Sequence, residues 1–309
     1  RLGVQLWGHD PTSWTAGVPT PGTAELDAAG AEVVGRHVFY NNSDFDGNDP
    51  AAGESDDAAI AVDKRALLPG ETATFANYTS YLLGINGLMV DIVGSADADS
   101  LTAADFSFRI GNDNSPNDWT AAPAPLPIAV RKGAGTDGAD RITIRFADNA
   151  IENKWLEVTV LATAATGLIE PDVFYIGNAI ADSGSNALNT IVNASDEIGA
   201  RNFYHGPMNQ AAVDDVYDYN RDKQVNGTDQ IIARNNQTNP LTMLRLITAP
   251  AVDAAIEQAS TEEIPDTDIS SAEWNWLHEF DRMNSKDQTT KKDDSREATV
   301  DLLLATDWA

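Results

Sequence analysis

One eleven-residue string occurs twice in this chain. VNASDEIGARN (192–202) returns as VNGTDQIIARN (225–235), identical at seven of eleven positions and 33 residues further on. A fixed-period repeat means a repeated structural unit, and two copies are too few to stack into a solenoid. The pattern therefore predicts a pseudo-twofold pair in which each copy is a polar Asn/Asp loop running into a short helix.

Charge narrows the chemistry around that pair. Among 309 residues, 20 Lys+Arg stand against 48 Asp+Glu, a formal net charge of −28. Phosphate backbones and anionic lipid surfaces both need a basic face, so nucleic-acid binding and anionic-membrane docking are excluded as expectations. Cysteine is absent, which removes thiol nucleophiles, thiolate metal sites and disulfides. Hard divalent cations bound by oxygen, calcium above all, remain the natural partner of such a chain. Hydrophobic residues make up 42%, enough for real cores, yet no apolar run reaches the roughly 18 residues of a membrane span. The chain begins at Arg1 with no leader pattern, which reads as a mature protein or the trimmed end of a longer one.

The second copy is preceded by the strongest motif, DYNRDKQVNGTD (218–229). Asp218, Asn220, Asp222, Asn226 and Asp229 fall at positions 1, 3, 5, 9 and 12, and Gln224 at position 7 offers a backbone carbonyl. This spacing wraps a tight loop of oxygens, about seven in all, around Ca²⁺. Asp229 also starts the following helix, where a carboxylate suits the N-terminal partial charge. Position 6 is Lys223 where an EF-hand has Gly, and position 12 is Asp rather than Glu. In the first copy, counting back from Asp196 puts Ser185, Ala187 and Asn189 at positions 1, 3 and 5, the Ile191 carbonyl at 7 and Asn193 at 9. Ala187 has no ligating side chain; Asp182 or Asn178 substitutes if the loop carries an insertion.

D-x-N-x-D-x-x-V-N-x-x-D followed by a helix, present as a tandem pair, resembles the calcium loops of type I dockerins. The resemblance implies Ca²⁺ held by Asp218, Asn220, Asp222, the Gln224 carbonyl, Asn226 and Asp229. In that family, residues at loop positions 10 and 11 help choose a cohesin partner; here they are Gly227 and Thr228, and Ala194 and Ser195 in the first copy. The segment DVFYIGN (172–178) leading into the pair, with HVFYNN (37–42) and DFDGND (44–49), resembles the C-terminal regions of large secreted bacterial proteins. In those, a cohesin-like or carbohydrate-binding-module-like β-sandwich precedes a dockerin-like pair.

The first half of the chain reads as β by its own pattern. Short apolar or alternating runs at 33–40, 87–93, 105–110, 126–130, 141–146 and 155–162 are bounded by turn clusters such as GNDNSP (111–116) and GAGTDG (133–138), with 72–81 as a further strand. Residues 57–67 read as a helix or an irregular loop. The expected fold is mainly β with a small α part: an antiparallel β-sandwich, the pair of calcium loop–helix units, and a partly helical tail. Expected boundaries are an arm at 1–30, the sandwich at 31–171, the calcium-binding domain at 172–245 and an acidic tail at 246–309. That tail carries Trp274, Trp276 and Phe280 as core anchors and an apolar helix at 298–304. A further cation-binding turn is expected from Asp44, Asp46, Asn48 and Asp57, because carboxylates so close in sequence repel unless neutralised.

No catalytic constellation stands out. His9, His37, His205 and His278 lack metal-pair spacing, and neither a GxSxG elbow nor a glycine-rich phosphate loop occurs. The expected function is non-catalytic: a secreted, extracellular or cell-surface calcium-binding protein that attaches to a protein partner, cohesin-like or a second copy of itself, up to a homopolymer. The alternative is a carbohydrate-binding module serving a polysaccharide-degrading enzyme, with Trp119 as its exposed stacking platform.

Overall fold

A computed structural model of the chain describes residues 30–251. The arm before residue 30, the aromatic cluster Trp274–Phe280 and the apolar run at 298–304 lie outside the described residues.

Among the described residues, nine strands form two sheets. The strands are β1 (Glu32–Val38), β2 (Tyr78–Thr79), β3 (Gly87–Val93), β4 (Phe106–Gly111), β5 (Thr120–Ala121), β6 (Ala129–Arg131), β7 (Asp140–Arg145), β8 (Trp155–Val160) and β9 (Asp172–Asn178). One sheet has the order β1-β3-β7-β6 and the other β2-β9-β8-β4-β5. All pairings are antiparallel except β2 with β9, which is parallel. Leu88, Val90, Ile142 and Ile144 of the first sheet share one buried cluster with Phe106, Leu156, Val158, Phe174 and Ile176 of the second. Two sheets facing across a common core are what alternating strands produce when each buries one face.

Two expectations change and one alternative is settled. Only Tyr78 and Thr79 of the 72–81 run are strand, because Thr74 and Asn77 cap a short 3-10 helix at Phe75–Asn77 that interrupts it. Residues 57–67 take the irregular alternative, beginning within a 3-10 turn at Ser55–Ala59. Strand β9 lies between β2 and β8, so the sandwich runs through Asn178 rather than ending at 171.

The centre of the second sheet, β8 and β9, is buried on both faces. Every residue of β8 is buried, Glu157 and Thr159 included. Its outer face is covered by residues 241–250, whose Leu244, Ile247 and Ala249 pack with Leu67, Tyr78, Trp119, Trp155 and Tyr175. Hydrogen bonds anchor this strap: Ala73 N donates to the Ile247 carbonyl (2.8 Å) and the Trp155 side chain, through Nε1, to that of Arg245 (2.7 Å). Residues 246–250 thus belong to the sandwich.

On the first sheet, β3 carries a buried carboxylate. Asp91 accepts two hydrogen bonds from Arg141 (both 2.8 Å) and two from Thr136 N and Oγ1 (both 2.9 Å), and His37 Nε2 lies 3.2 Å away. Burial alone would raise this carboxyl, but Arg141, His37 and Thr136 outweigh it and hold it far below the ordinary range. Breaking such a pair strands the other charge, so Asp91→Ala is expected to cost about 3–5 kcal/mol in urea unfolding. The depressed Asp91 contributes fully above the unfolded value of about 4 and loses that contribution as pH falls toward the lower folded value. The urea midpoint of the native chain should therefore drop below about pH 4, with a shallower drop in the Asp91→Ala variant.

Candidate metal centre

Two nine-residue helices follow the sandwich, α1 (Ala194–Asn202) and α2 (Gly227–Asn235), one in each copy of the repeat. Each starts with the same capping box. Asn193 Oδ1 accepts from Ser195 N (2.8 Å) and Asp196 Oδ2 from Asn193 N (2.8 Å); Asn226 Oδ1 accepts from Thr228 N (2.7 Å) and Asp229 Oδ2 from Asn226 N (2.9 Å). These bonds satisfy N–H groups that a helix start leaves unpaired. The N-x-x-D of the repeat is thus a helix start in both copies.

The copies are related as a pseudo-twofold pair. Val225 exchanges both backbone hydrogen bonds with His205, beyond α1 (3.0 and 2.9 Å). Val192, the equivalent residue, receives from Thr238 N beyond α2 (3.0 Å) and donates to Thr238 Oγ1 (2.9 Å). Both pairs keep the 33-residue offset. Ile180, Val192, Ala200, Tyr219, Val225, Ile232 and Ala233 form the small core between them, and Arg234 of α2 pairs with Glu197 of α1.

In the second copy the chain curls around Asp218. Its Oδ1 accepts from Asp222 N (3.1 Å) and its Oδ2 from Lys223 N (3.0 Å). Asp229 Oδ1 accepts from Tyr219 N (2.9 Å), closing the loop from the far end. Asp222 Oδ1 accepts from Gln224 N (2.9 Å) and its Oδ2 from Asn220 Nδ2 (2.8 Å). Arg221 and Lys223 both take left-handed backbone (φ 56° and 62°), so the missing Gly at position 6 is met by a strained Lys. Asp218 and Asp229 are fully buried. Burial pushes the Asp218 carboxyl up to about 7, with Asp229 and Asp222 adding and Arg221 opposing; burial also raises that of Asp229.

The donor set fits a hard cation. Among the described residues, Asn220 Oδ1 is buried and accepts no hydrogen bond, and no donor reaches the Gln224 carbonyl. Positions 1, 3, 5, 7 and 12 therefore present carboxylate, amide and carbonyl oxygens with lone pairs to spare. No group of three His, Cys, Asp or Glu side chains gathers as a metal set among the described residues; this loop draws on amide and backbone oxygens as well.

The first copy has a different register from the one counted back from Asp196. Ser183 N donates to Asp196 Oδ1 (3.0 Å) as Tyr219 N does to Asp229. Asp182, just before Ser183, therefore takes the place of Asp218, and Ser185 does not. Asn189 Oδ1 accepts from Ile191 N (3.1 Å), matching Asp222. The first loop runs from 182 to 196 and the second from 218 to 229, so three extra residues sit between Asp182 and Asn189. Asn178 belongs to β9, where it bonds Thr79 and Tyr81.

The 44–57 segment does not gather its expected ligands. Asp46 turns inward and is held by Asn42 N (2.7 Å) and Ser43 N (3.0 Å). Asp44 and Asn48 pair with each other on the surface. Asp57 binds Arg131 (3.0 and 2.5 Å) and Arg141 (2.9 Å); these guanidiniums overcome burial and hold its carboxyl low. Backbone N–H groups and arginines supply the neutralisation that sequence reasoning assigned to an ion. Trp119 is also displaced from its expected role: it is buried, edge-on to Tyr175 at 5.9 Å, with Nε1 on Asp113 (3.0 Å), and offers no platform for a sugar.

Sequence reasoning missed Arg221. At loop position 4 it is 1% exposed, its guanidinium 4.1 Å from the centre of the Tyr40 ring and bonded to Ser80 Oγ (3.2 Å) and the Asp215 carbonyl (2.5 Å). Its own carbonyl accepts from Asp44 N (3.0 Å), and that of Tyr219 from Leu82 N (2.8 Å). The second loop is thus fastened to the sandwich. Lys223, at loop position 6, is fastened too, its Nζ 5.2 Å from the Phe45 ring centre.

Compared with protein-family models, curated proteins and solved structures, the chain matches none of them.

Arg221→Ala is expected to destabilise the chain by about 2–4 kcal/mol, because charge-assisted bonds and a buried cation–π contact go together. Arg201→Ala, on the exposed side of α1, should stay within about 0.5 kcal/mol by the same denaturant titration.

Proposed function

We propose that this chain is a non-catalytic, calcium-binding interaction protein of the extracellular space or cell surface, whose dockerin-like pair attaches it to a protein partner. The observation that carries the reading is the second loop: a closed ring of backbone hydrogen bonds around buried Asp218 and Asp229, with Asn220 Oδ1 and the Gln224 carbonyl left without donors. Asp218, Asn220, Asp222, the Gln224 carbonyl, Asn226 and Asp229 would hold the ion. A bound Ca²⁺ offsets the mutual repulsion of these carboxylates, and its binding energy becomes folding energy.

An interaction role is supported by what the pair leaves uncovered. Leu188, Ile198, Phe203, Tyr204, Met208 and Ile231 are exposed large apolar side chains. Ile198 and Ile231 occupy equivalent positions in the two helices. All six fall within residues 188–231, the stretch of the repeat pair, and a contiguous exposed apolar patch there would suit a contact surface.

The test is thermal unfolding of the chelator-stripped chain with and without Ca²⁺. At 100 times its dissociation constant a ligand specific for the folded state stabilises by about 2.7 kcal/mol, so a clear rise in Tm is expected. Asp229→Asn should abolish that rise. An unchanged melt after calcium addition defeats the proposal. Sedimentation velocity in both conditions separates self-assembly, which changes the sedimentation coefficient with Ca²⁺, from attachment to a different protein.

A further inference from the structure

We infer that the two copies have divided the work, so that the chain binds one calcium ion in the second loop while the first is completed by the protein's own donors. The inference rests on the proposed calcium role and specifies its stoichiometry. It comes from comparing equivalent positions. At position 1, Asp218 receives only backbone N–H groups, whereas Asp182 Oδ2 accepts the hydroxyl of Tyr78 (2.7 Å). At position 12, Asp229 receives only backbone N–H groups, whereas Asp196 Oδ1 accepts the Ser183 hydroxyl as well (2.7 Å).

The pattern continues through the loop. At position 7 no donor among the described residues reaches the Gln224 carbonyl, whereas that of Ile191 accepts from Asn193 Nδ2 (3.1 Å). At position 5 the carboxylate of Asp222 is replaced by the neutral amide of Asn189. The second copy keeps a buried acceptor without a donor, Asn220 Oδ1; among the described residues the first keeps no such side-chain atom.

Each difference removes either charge or a free lone pair from the first loop. A hydroxyl donating to a carboxylate satisfies the oxygen that a cation would otherwise take. Tyr78 comes from β2, so the sandwich itself supplies one of these donors. The three extra residues between Asp182 and Asn189 fit the same account, because a loop freed from wrapping an ion is free to lengthen.

Calorimetric titration of the chelator-stripped full chain with CaCl₂ tests this. The expected result is one Ca²⁺ per chain, lost in Asp218→Asn and kept in Asp182→Asn with a dissociation constant changed less than about twofold. Equilibrium dialysis of the unmodified chain against radioactive calcium gives the stoichiometry without any variant. Two ions per chain, or a loss of binding in a folded Asp182→Asn, overturn this inference and leave the calcium role standing. No binding by the folded native chain overturns both.

Discussion

Two carboxylates with no exposure, Asp218 and Asp229, sit at the two ends of one twelve-residue loop, and the C-terminal part of the described chain is organised around them. Taking a carboxylate out of water is costly unless hydrogen bonds or opposite charge replace the lost hydration. Here the replacements are backbone N–H groups of the loop itself, which fixes its curl, and the nearby Arg221 guanidinium. Because the same hydrogen bonds shape the loop and start α2, disturbing the charge at this point disturbs the helix. An ion bound there would act on the fold directly.

That loop is not a bead on a string. Arg221 reaches under Tyr40 and Ser80, and the Tyr219 and Arg221 carbonyls are capped by Leu82 and Asp44. Tyr219 spans further, its hydroxyl 3.4 Å from the Asp196 carbonyl of the other copy. One loop therefore contacts the sandwich, the 44–49 turn and the first copy. The strap at 241–250, which follows the second copy, covers the outer face of the sheet that β9 joins to the first. The sandwich and the pair are interleaved in sequence, and a boundary drawn at any single residue cuts through shared packing.

Much of the β architecture was legible in the sequence, because strands with one buried face betray themselves by alternation and by the turn residues at their ends. The runs at 87–93 and 155–162 match β3 and the start of β8 closely. The pseudo-twofold pair was legible from the repeat alone. What escaped were effects carried by distant partners. β9 was counted with the repeat pair rather than with the sandwich; its apolar residues run without alternation, as they must when the strap covers the outer face. Asp57 looked like a ligand because Arg131 and Arg141 lie more than 70 residues away in sequence. The insertion that brings Asp182 to position 1 was one of the alternatives the sequence left open, and Trp119 looked exposed although the loop around it folds back on Tyr175.

Arg221 was hidden for a related reason, and it bears on how the pair works. A basic residue between two loop acids reads as a solvated counter-charge, yet this one is buried against the sandwich and donates to neutral oxygens. Its charge opposes the rise in the Asp218 carboxyl, so the protein already supplies part of the compensation that the loop needs. The first copy goes further, with hydroxyls on both of its buried carboxylates and one carboxylate fewer at the equivalent loop positions. The repeat thus holds one half with fixed protein donors and leaves the other with oxygens to spare. If the second loop takes an ion as proposed, helix α1 would stay formed whatever the ion concentration, giving α2 a preformed surface to close against, and the ion would govern only the second loop. Under the proposed reading, this asymmetry would make a small unit dependent on calcium without making the whole sandwich so.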